Sequence, residues 1–439
     1  MIRWFYSCLM WLAQPLLKRK LLRRSQQEPG YAQHLPERFG HYDQAVPPHS
    51  GPTVWLHAVS LGETRAAAVL IAALRAQWPH MRLLLTHGTA TGRAEGQKLL
   101  ATGDLQAWQP WDTPAAVQRF LAHFRPQLGI LMETEVWPNL VLGCQLQAVP
   151  LVLVNARLSD KSRQQAQRLA WLARPAFTAL TAVWAQTQAD AQRLQSLGAK
   201  VEGVMGNLKF DATPNPTQVM QGRAWREQCP QPVVMLASSR EGEEQALLDI
   251  LKRFWLPVQT HQAQDATDSV VLKVQWLVVP RHPQRFDAVA TLIQSQGFAV
   301  QRRSAWPASG PNPTAGQPTI WLGDSLGEMA LYYGLADVAL LGGSFEPLGG
   351  QNLIEAAACA CPVVMGPHTF NFAEAAEKAL AAGAAQRSAN LAQAVDRACE
   401  LSLSDNRLLV ARESARHFAQ SHQGAAQRLA AALMPFLAE

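Results

Sequence analysis

The chain has 439 residues, too many for one compact core, and suits two domains of about 200 residues each. Apolar residues make up 48% and charged ones 16%, which excludes a wholly disordered chain, and the net charge of +6 favours a polyanionic partner such as nucleic acid, anionic lipid or a phosphorylated substrate. The six cysteines, at 8, 144, 229, 359, 361 and 399, have spacings that suit neither a zinc site nor a disulfide framework, so they read as reduced, core-packing thiols.

The stretch Trp4 to Leu17 is apolar apart from Ser7 and Gln14, and Lys18, Arg19, Lys20, Arg23 and Arg24 follow at once. As a helix, its fourteen residues reach only ~21 Å, short of a ~30 Å hydrocarbon core. The charges follow the apolar run instead of preceding it, and no small-residue cleavage site is present, which argues against a signal peptide. Residues 1–24 are therefore expected to form a membrane anchor or an interfacial helix, with the basic cluster against anionic lipid and the body cytoplasmic. A helix packed on the body is the plainer alternative.

From Val54 short apolar runs alternate with helical patterns: VWLHAV, then Thr64 to Arg75; MRLLLT, then Gly92 to Leu100; LGILM, then Pro138 to Leu146; LVLVNA; AVWAQ; and GVMGNLK as a last strand. Strands alternating with helices predict a parallel, doubly wound α/β sheet over 25–211. The breaker-rich ATPNPT predicts a hinge at 212–218. A second series follows over 219–406: VVMLAS, a helix from Glu241, WLVVP, a helix from Pro283, FAVQR and TIWLG. Then come a helix over about Leu326 to Leu335, the strand Val338 to Leu341, a Gly-rich loop from Gly342 to Gly350, a helix from Asn352 and the strand Pro362 to Met365. Residues 257–268 and 304–318 read as surface loops, and a last helix, about Arg407 to Leu437 within 407–439, could cross back over the first domain. The fold class is thus α/β, two Rossmann-like halves with a cleft between them.

Ligands of such sheets sit beyond the carboxyl ends of the strands, where helix N-termini favour anions. In HAVSLGE (57–63), Ser60, Gly62 and Glu63 fall at a strand end, and Glu63 could take a proton from a hydroxyl nucleophile or merely cap its helix. Burial would raise its pKa and the helix dipole would lower it. METEVWPN (132–139) offers two carboxylates at i and i+2; an extended chain would point only one into the cleft, and Glu133 is the choice. GNLKFD (206–211) places Lys209 where a cation could meet a phosphate or carboxylate. Ser238 and Ser239 could hold phosphate or serve an ordinary cap, Arg281 and His282 offer nitrogen donors for a cytosine or phosphate, and Glu328 and Glu355 lie near helix starts, suited to sugar hydroxyls. No Walker loop, G-x-G-x-x-G, Asp-x-Asp pair or His/Cys cluster is present, so metal-dependent phosphate chemistry loses support.

Together, HAVSLGE, METEVWPN, NARLS (155–159), GNLKFD, PRHPQRFD, GDSLGE and GPHTFNF (366–372) resemble the 3-deoxy-D-manno-octulosonic acid (Kdo) transferases of Gram-negative lipopolysaccharide synthesis, in order along nearly the whole chain. The resemblance implies a GT-B glycosyltransferase that moves Kdo from CMP-Kdo to the lipid A precursor lipid IVA at the cytoplasmic side of the inner membrane. It implies an inverting, metal-independent reaction with no cofactor and no nucleic-acid partner. Residue by residue, it makes Glu63 the general base, gives Glu133 and Lys209 transition-state stabilisation, and gives Arg281, His282, Leu326, Gly327, Glu328, Asn352, Leu353, Ile354 and Glu355 to the CMP moiety. The sequence departs from the family pattern at Gln351 and Leu353, where His and Pro are usual, in Leu85 to Arg93, and at Ser239-Arg240. Another GT-B enzyme with a different sugar nucleotide, or a non-catalytic membrane-docked binding protein on the same scaffold, are the competing readings.

Overall fold

The computed structural model describes residues 2–211, 213–259, 270–311 and 318–437. The chain divides into two compact units: Met1–Ala212 with His422–Glu439, and Thr213–Ser421.

The first unit carries a seven-stranded sheet in the order β3-β2-β1-β4-β5-β6-β7. Its strands are β1 (Thr53–His57), β2 (Arg82–His87), β3 (Leu105–Trp108), β4 (Leu128–Met132), β5 (Leu151–Ala156), β6 (Ala182–Ala185) and β7 (Val201–Val204). All pairs are parallel, so every carboxyl end lies on one edge. The central strands are buried on both faces, which is why they read as continuous apolar runs. Val54, Leu56, Leu83, Leu85, Ile130 and Val152 pack on one side against Leu70 and Leu74 of the helix Leu61–Gln77, while Trp55, Leu84, Leu131, Leu153 and Phe120 fill the other. Each such side chain contributes about 1.5–3 kcal/mol by leaving water.

The second unit repeats the plan with β8 (Val233–Ser239), β9 (Gln275–Pro280), β10 (Ala299–Arg302), β11 (Thr319–Leu322), β12 (Val338–Leu341), β13 (Val363–Met365) and β14 (Ala385–Arg387). The order is β10-β11-β9-β8-β12-β13-β14, again all parallel. In each sheet the order reverses beside the first strand, β1 against β4 and β8 against β12. Sheets of this kind bind ligands at that reversal.

Three expectations need correction. The run GVMGNLK is not one strand: β7 ends at Val204, Gly206 takes a positive φ of 87°, and Leu208–Asp211 forms a 3-10 turn. The final helix is two, Asp405–His422 and Ala425–Leu433, because Gly424 breaks the chain at φ 90°. The Asp211 carboxylate accepts the N–H groups of Gly424 and Ala426, capping the second of them. The helix expected from Leu326 starts at Met329. Of the expected hinge and loops, Asn215 and Pro216 already open the helix Pro216–Glu227 and Arg303–Ala305 is a 3-10 turn, while 212, 260–269 and 312–317 lie outside the described residues.

The N-terminal helix runs from Ile2 to Arg24. Tyr6 donates to Asp112 (2.9 Å), Ser7 donates to Asn139 (3.1 Å), and Leu21 is buried. Trp4, Phe5, Leu9, Trp11, Leu12 and Leu16 are exposed. Among the described residues no helix is long and apolar enough to cross a membrane.

Candidate active site

In the first unit the carboxyl edge gathers three carboxylates. Glu63 lies in the first turn of the helix Leu61–Gln77 and forms a capping box: its N–H donates to Ser60 Oγ (3.3 Å), while its own Oε2 accepts the Val59 N–H (2.7 Å) and its Oε1 the Ser60 hydroxyl (3.3 Å). Capping and a chemical role are therefore not alternatives here. Burial raises the Glu63 pKa to about 7; the Val59 N–H opposes this, and the Glu133 and Glu135 carboxylates push it further up.

The extended segment assumed for METEVWPN is not found. Glu133 takes a positive φ of 57°, so the chain turns and does not extend past β4. Glu133 is 4% exposed and pairs with Arg157 at 2.7 Å. Burial also raises the Glu135 pKa, although the Trp137 indole N–H donates to its carboxylate (2.9 Å). Asp112 fixes the far end of this loop by accepting the N–H groups of Asn139 (3.0 Å) and Leu140 (2.8 Å) at the start of the helix Pro138–Leu146. His57 is buried and bonded to Thr86 (2.9 Å), and burial lowers its pKa to about 3, so it is a neutral strut under the edge. Lys209 lies in the 3-10 turn after β7, its N–H held by Asn207 (3.0 Å).

In the second unit the edge is differently furnished. Ser239 is fully buried; its hydroxyl donates to Glu244, which also receives a two-pronged grip from Arg285 (2.8 and 2.9 Å). Ser238, at φ 54°, is half-buried and its hydroxyl lies 3.9 Å from the Met329 sulfur. Arg281 and His282 are exposed after β9, and the Arg281 Nε donates to Gln351 (3.1 Å). Burial and the surrounding Arg240, Arg281 and Arg285 hold the His282 pKa below its usual value. Glu328 precedes its helix without capping it, pairs with Arg303 (2.9 Å) and accepts the Ser325 hydroxyl, while Leu326 and Gly327 form an exposed corner. Asn352 caps the helix Leu353–Ala358 through the Ile354 N–H (3.1 Å). Leu353 and Ile354 are buried, leaving only their backbone for a ligand, and Glu355 is half-buried in the same turn.

The glycine loop after β12 is not an empty anion cradle. The buried Glu243 carboxylate accepts the N–H groups of Gly343 (2.8 Å), Phe345 (3.4 Å) and Arg240 (2.9 Å). The protein supplies its own acid there, and the helices Met329–Leu335 and Leu353–Ala358 after β11 and β12 have only seven and six residues. The cations near this loop are side chains, Arg240 half-buried and Arg281 exposed.

The family described as 3-Deoxy-D-manno-octulosonic-acid transferase (kdotransferase) matches residues 33–212. A 3-deoxy-D-manno-octulosonic acid transferase from Bordetella pertussis is 44% identical and covers 96% of each chain. Its namesake from Haemophilus influenzae is 32% identical over 100% of this chain and 99% of that one. The chain belongs to the Kdo transferase family. It is accordingly a glycosyltransferase of the kind that transfers Kdo. Among solved structures, the UDP-GlcNAc 2-epimerase from Neisseria meningitidis bound to UDP-GlcNAc aligns at a TM-score of 0.52 and 14% identity, over 88% of this chain and 99% of that one. A glycosyltransferase from Rickettsia africae aligns at 0.51 and 15%, over 88% and 98%. These likenesses speak for the fold alone, which is GT-B.

For a Kdo transferase, the departures at Gln351 and Leu353 are locally accommodated: Gln351 holds Arg281, and Leu353 fills the core. Sequence reasoning missed Glu135, Arg157 and Glu243 as parts of the two edges. No local signal marked Glu135, because the turn after β4 rests on the positive φ of Glu133. Among the described residues no group of three or more His, Cys, Asp or Glu side chains is placed to hold a metal ion.

Proposed function

We propose that this chain transfers Kdo from CMP-Kdo to lipid IVA, in lipopolysaccharide core biosynthesis, by an inverting and metal-independent reaction. The observation that carries the reading is Glu63: a carboxylate held by one N–H and one hydroxyl, with a pKa near 7, matched to proton abstraction at working pH. The acceptor hydroxyl gives its proton to Glu63 as its oxygen bonds to the anomeric carbon of Kdo, and CMP departs with the electron pair of the broken bond. Glu133 and Lys209 stabilise the charge that develops, a cationic sugar and an anionic leaving group. Arg281, His282, the Leu326 to Glu328 corner and the turn from Asn352 to Glu355 hold CMP, with Ser238 and the backbone of Ser239 beside them.

The same reading places the protein on the cytoplasmic side of the inner membrane. Six exposed apolar side chains on a helix docked through Tyr6 and Ser7, followed by exposed Lys18, Arg19, Lys20 and Arg23, suit an interfacial helix on anionic lipid. With vesicles containing phosphatidylglycerol, the double variant Trp4→Ser, Trp11→Ser should bind about tenfold more weakly than wild type, and equal binding would remove this part of the reading.

The decisive assay supplies CMP-Kdo and lipid IVA to the purified full chain and follows the lipid by mass spectrometry and CMP release by chromatography. Kdo-bearing lipid with equimolar CMP, at a rate unchanged by EDTA, is expected. Turnover of a uridine-linked sugar with none of CMP-Kdo would give the site to another GT-B reaction.

A further inference from the structure

The motif NARLS supports the family resemblance, yet beyond the pairing of Arg157 with Glu133 none of the roles above uses it. Its first residue, Asn155, is the penultimate residue of β5, is 1% exposed and takes a positive φ of 50°. A strained residue of this kind persists only where its surroundings over-determine it, and such residues gather at functional sites. The surroundings here are specific. The Asn155 Oδ1 accepts the Leu208 N–H (3.1 Å), and its backbone carbonyl accepts the Gln186 side-chain amide (2.8 Å). Gln186 Oε1 in turn accepts the Asn207 amide (3.0 Å), and Asn207 Oδ1 accepts the Lys209 N–H (3.0 Å). The turn that carries Lys209 therefore hangs from Asn155 twice, once directly and once through Gln186 and Asn207.

The other side of the same segment holds Glu133. The Glu133 N–H donates to the Val154 carbonyl (3.1 Å), the Arg157 N–H donates to the Glu133 carbonyl (3.3 Å), and the Arg157 guanidinium pairs with the Glu133 carboxylate (2.7 Å). Residues 154–157 thus bracket the loop of Glu133 on one flank and the turn of Lys209 on the other. The Asn155 Nδ2 is buried with no partner among the described residues. A residue selected for stability alone would be unlike this one, which combines a disfavoured backbone with an unsatisfied donor.

We propose that Asn155 is a positioning residue for Kdo transfer, fixing the Lys209 turn against the Glu133 loop so that both charges meet the reacting group in one geometry. The proposal rests on the roles given to Lys209 and Glu133 above. Asn155 acts through Lys209, so its loss falls on the chemical step and not on substrate affinity.

The test is a double-mutant cycle in the full-length enzyme with CMP-Kdo and lipid IVA. Asn155→Gly keeps the left-handed backbone and removes the acceptor. Its kcat should fall about 10–100-fold with KM for both substrates within about threefold, because small misplacements of a catalytic group cost rates of that order. In a Lys209→Ala background the same change should cost less than about threefold more, since groups that act as a unit are not additive. An equal fall in both backgrounds, or a fall confined to KM, overturns the proposal and leaves the role of Lys209 standing. No effect of Lys209→Ala itself overturns the site reading and this proposal with it. Asn207→Ala, which cuts only the outer link on a half-buried residue, repeats the cycle should Asn155→Gly fail to fold, and the same additivity would count against the proposal.

Discussion

The carboxyl edges of the two sheets share a topology and differ in charge. In the second unit the buried or half-buried acids are neutralised from within: Glu243 by three backbone N–H groups, Glu244 by Arg285 and Ser239, Glu328 by Arg303, and Asp324 by Arg302 and Ser304. What remains facing solvent there is of both signs, Arg281 and His282 beside Glu241 and Glu346. In the first unit Glu63 has only an N–H and a hydroxyl, with two further carboxylates pressing on it. The lesson is that a doubly wound sheet does not dictate the polarity of its site. Capping residues and loop carboxylates do: one edge holds its buried acids with N–H groups and arginines, while the other leaves Glu63 with a raised pKa, as the proposed division between donor binding and base requires.

The largest test of that contrast is Glu63→Gln, which removes the base and keeps the size. Its kcat for CMP release should fall at least about 10³-fold, and a loss within a few-fold would mean the acidic edge does not do the chemistry. On the edge of the second unit, Arg281→Ala should raise the KM for CMP-Kdo about 10–100-fold and leave the lipid KM alone, as the loss of a charged hydrogen bond implies. If the lipid KM moved instead, the division of labour between the edges would be reversed.

Two finer tests use pH. The kcat profile should fall on the acid side as Glu63 protonates near pH 7. Glu135 raises that pKa, so Glu135→Gln should move the acid limb to lower pH; a limb that stays in place would remove Glu135 from the cluster. The stability effect runs the other way. An acid whose folded pKa lies above its unfolded value disfavours the fold as it ionises, so the cost enters above about pH 4.5 and is complete beyond about pH 7. Glu63→Gln should therefore unfold at higher denaturant than wild type at pH 8, by up to about 3 kcal/mol, and at about the same denaturant at pH 4. Equal stability at pH 8 would show that burial does not strain this carboxylate.

Much of this was legible in order along the chain, because strands buried on both faces leave apolar runs that need no partner to be seen. LGILM and LVLVNA became β4 and β5 with the expected bounds. β3 and β14 escaped because Leu105–Trp108 and Ala385–Arg387 are too short and too polar to stand out. At the candidate site, local rules singled out Glu63 and Glu133 at strand ends and Lys209 at the junction between the halves, while relations across strands stayed hidden. No spacing rule links Asn155 to Leu208, or Glu243 to Gly343 a hundred residues away. Positive φ at Glu133 was likewise invisible, and it turns the chain after β4.

The cap that Asp211 places on the helix Ala425–Leu433 bears on how the protein is made. Ala426, Leu429 and Leu433 of that helix complete the apolar layer over Ala67, Leu70 and Leu74, so the first unit lacks part of its core until that helix, about two hundred residues downstream, has been made. The second unit, whose sequence is contiguous, has all its parts sooner although it starts later. Synthesis order and completion order are thus inverted. A fragment ending at the natural-looking boundary near 212 would expose an oily groove, whereas one in which 422–439 is fused directly after it would not.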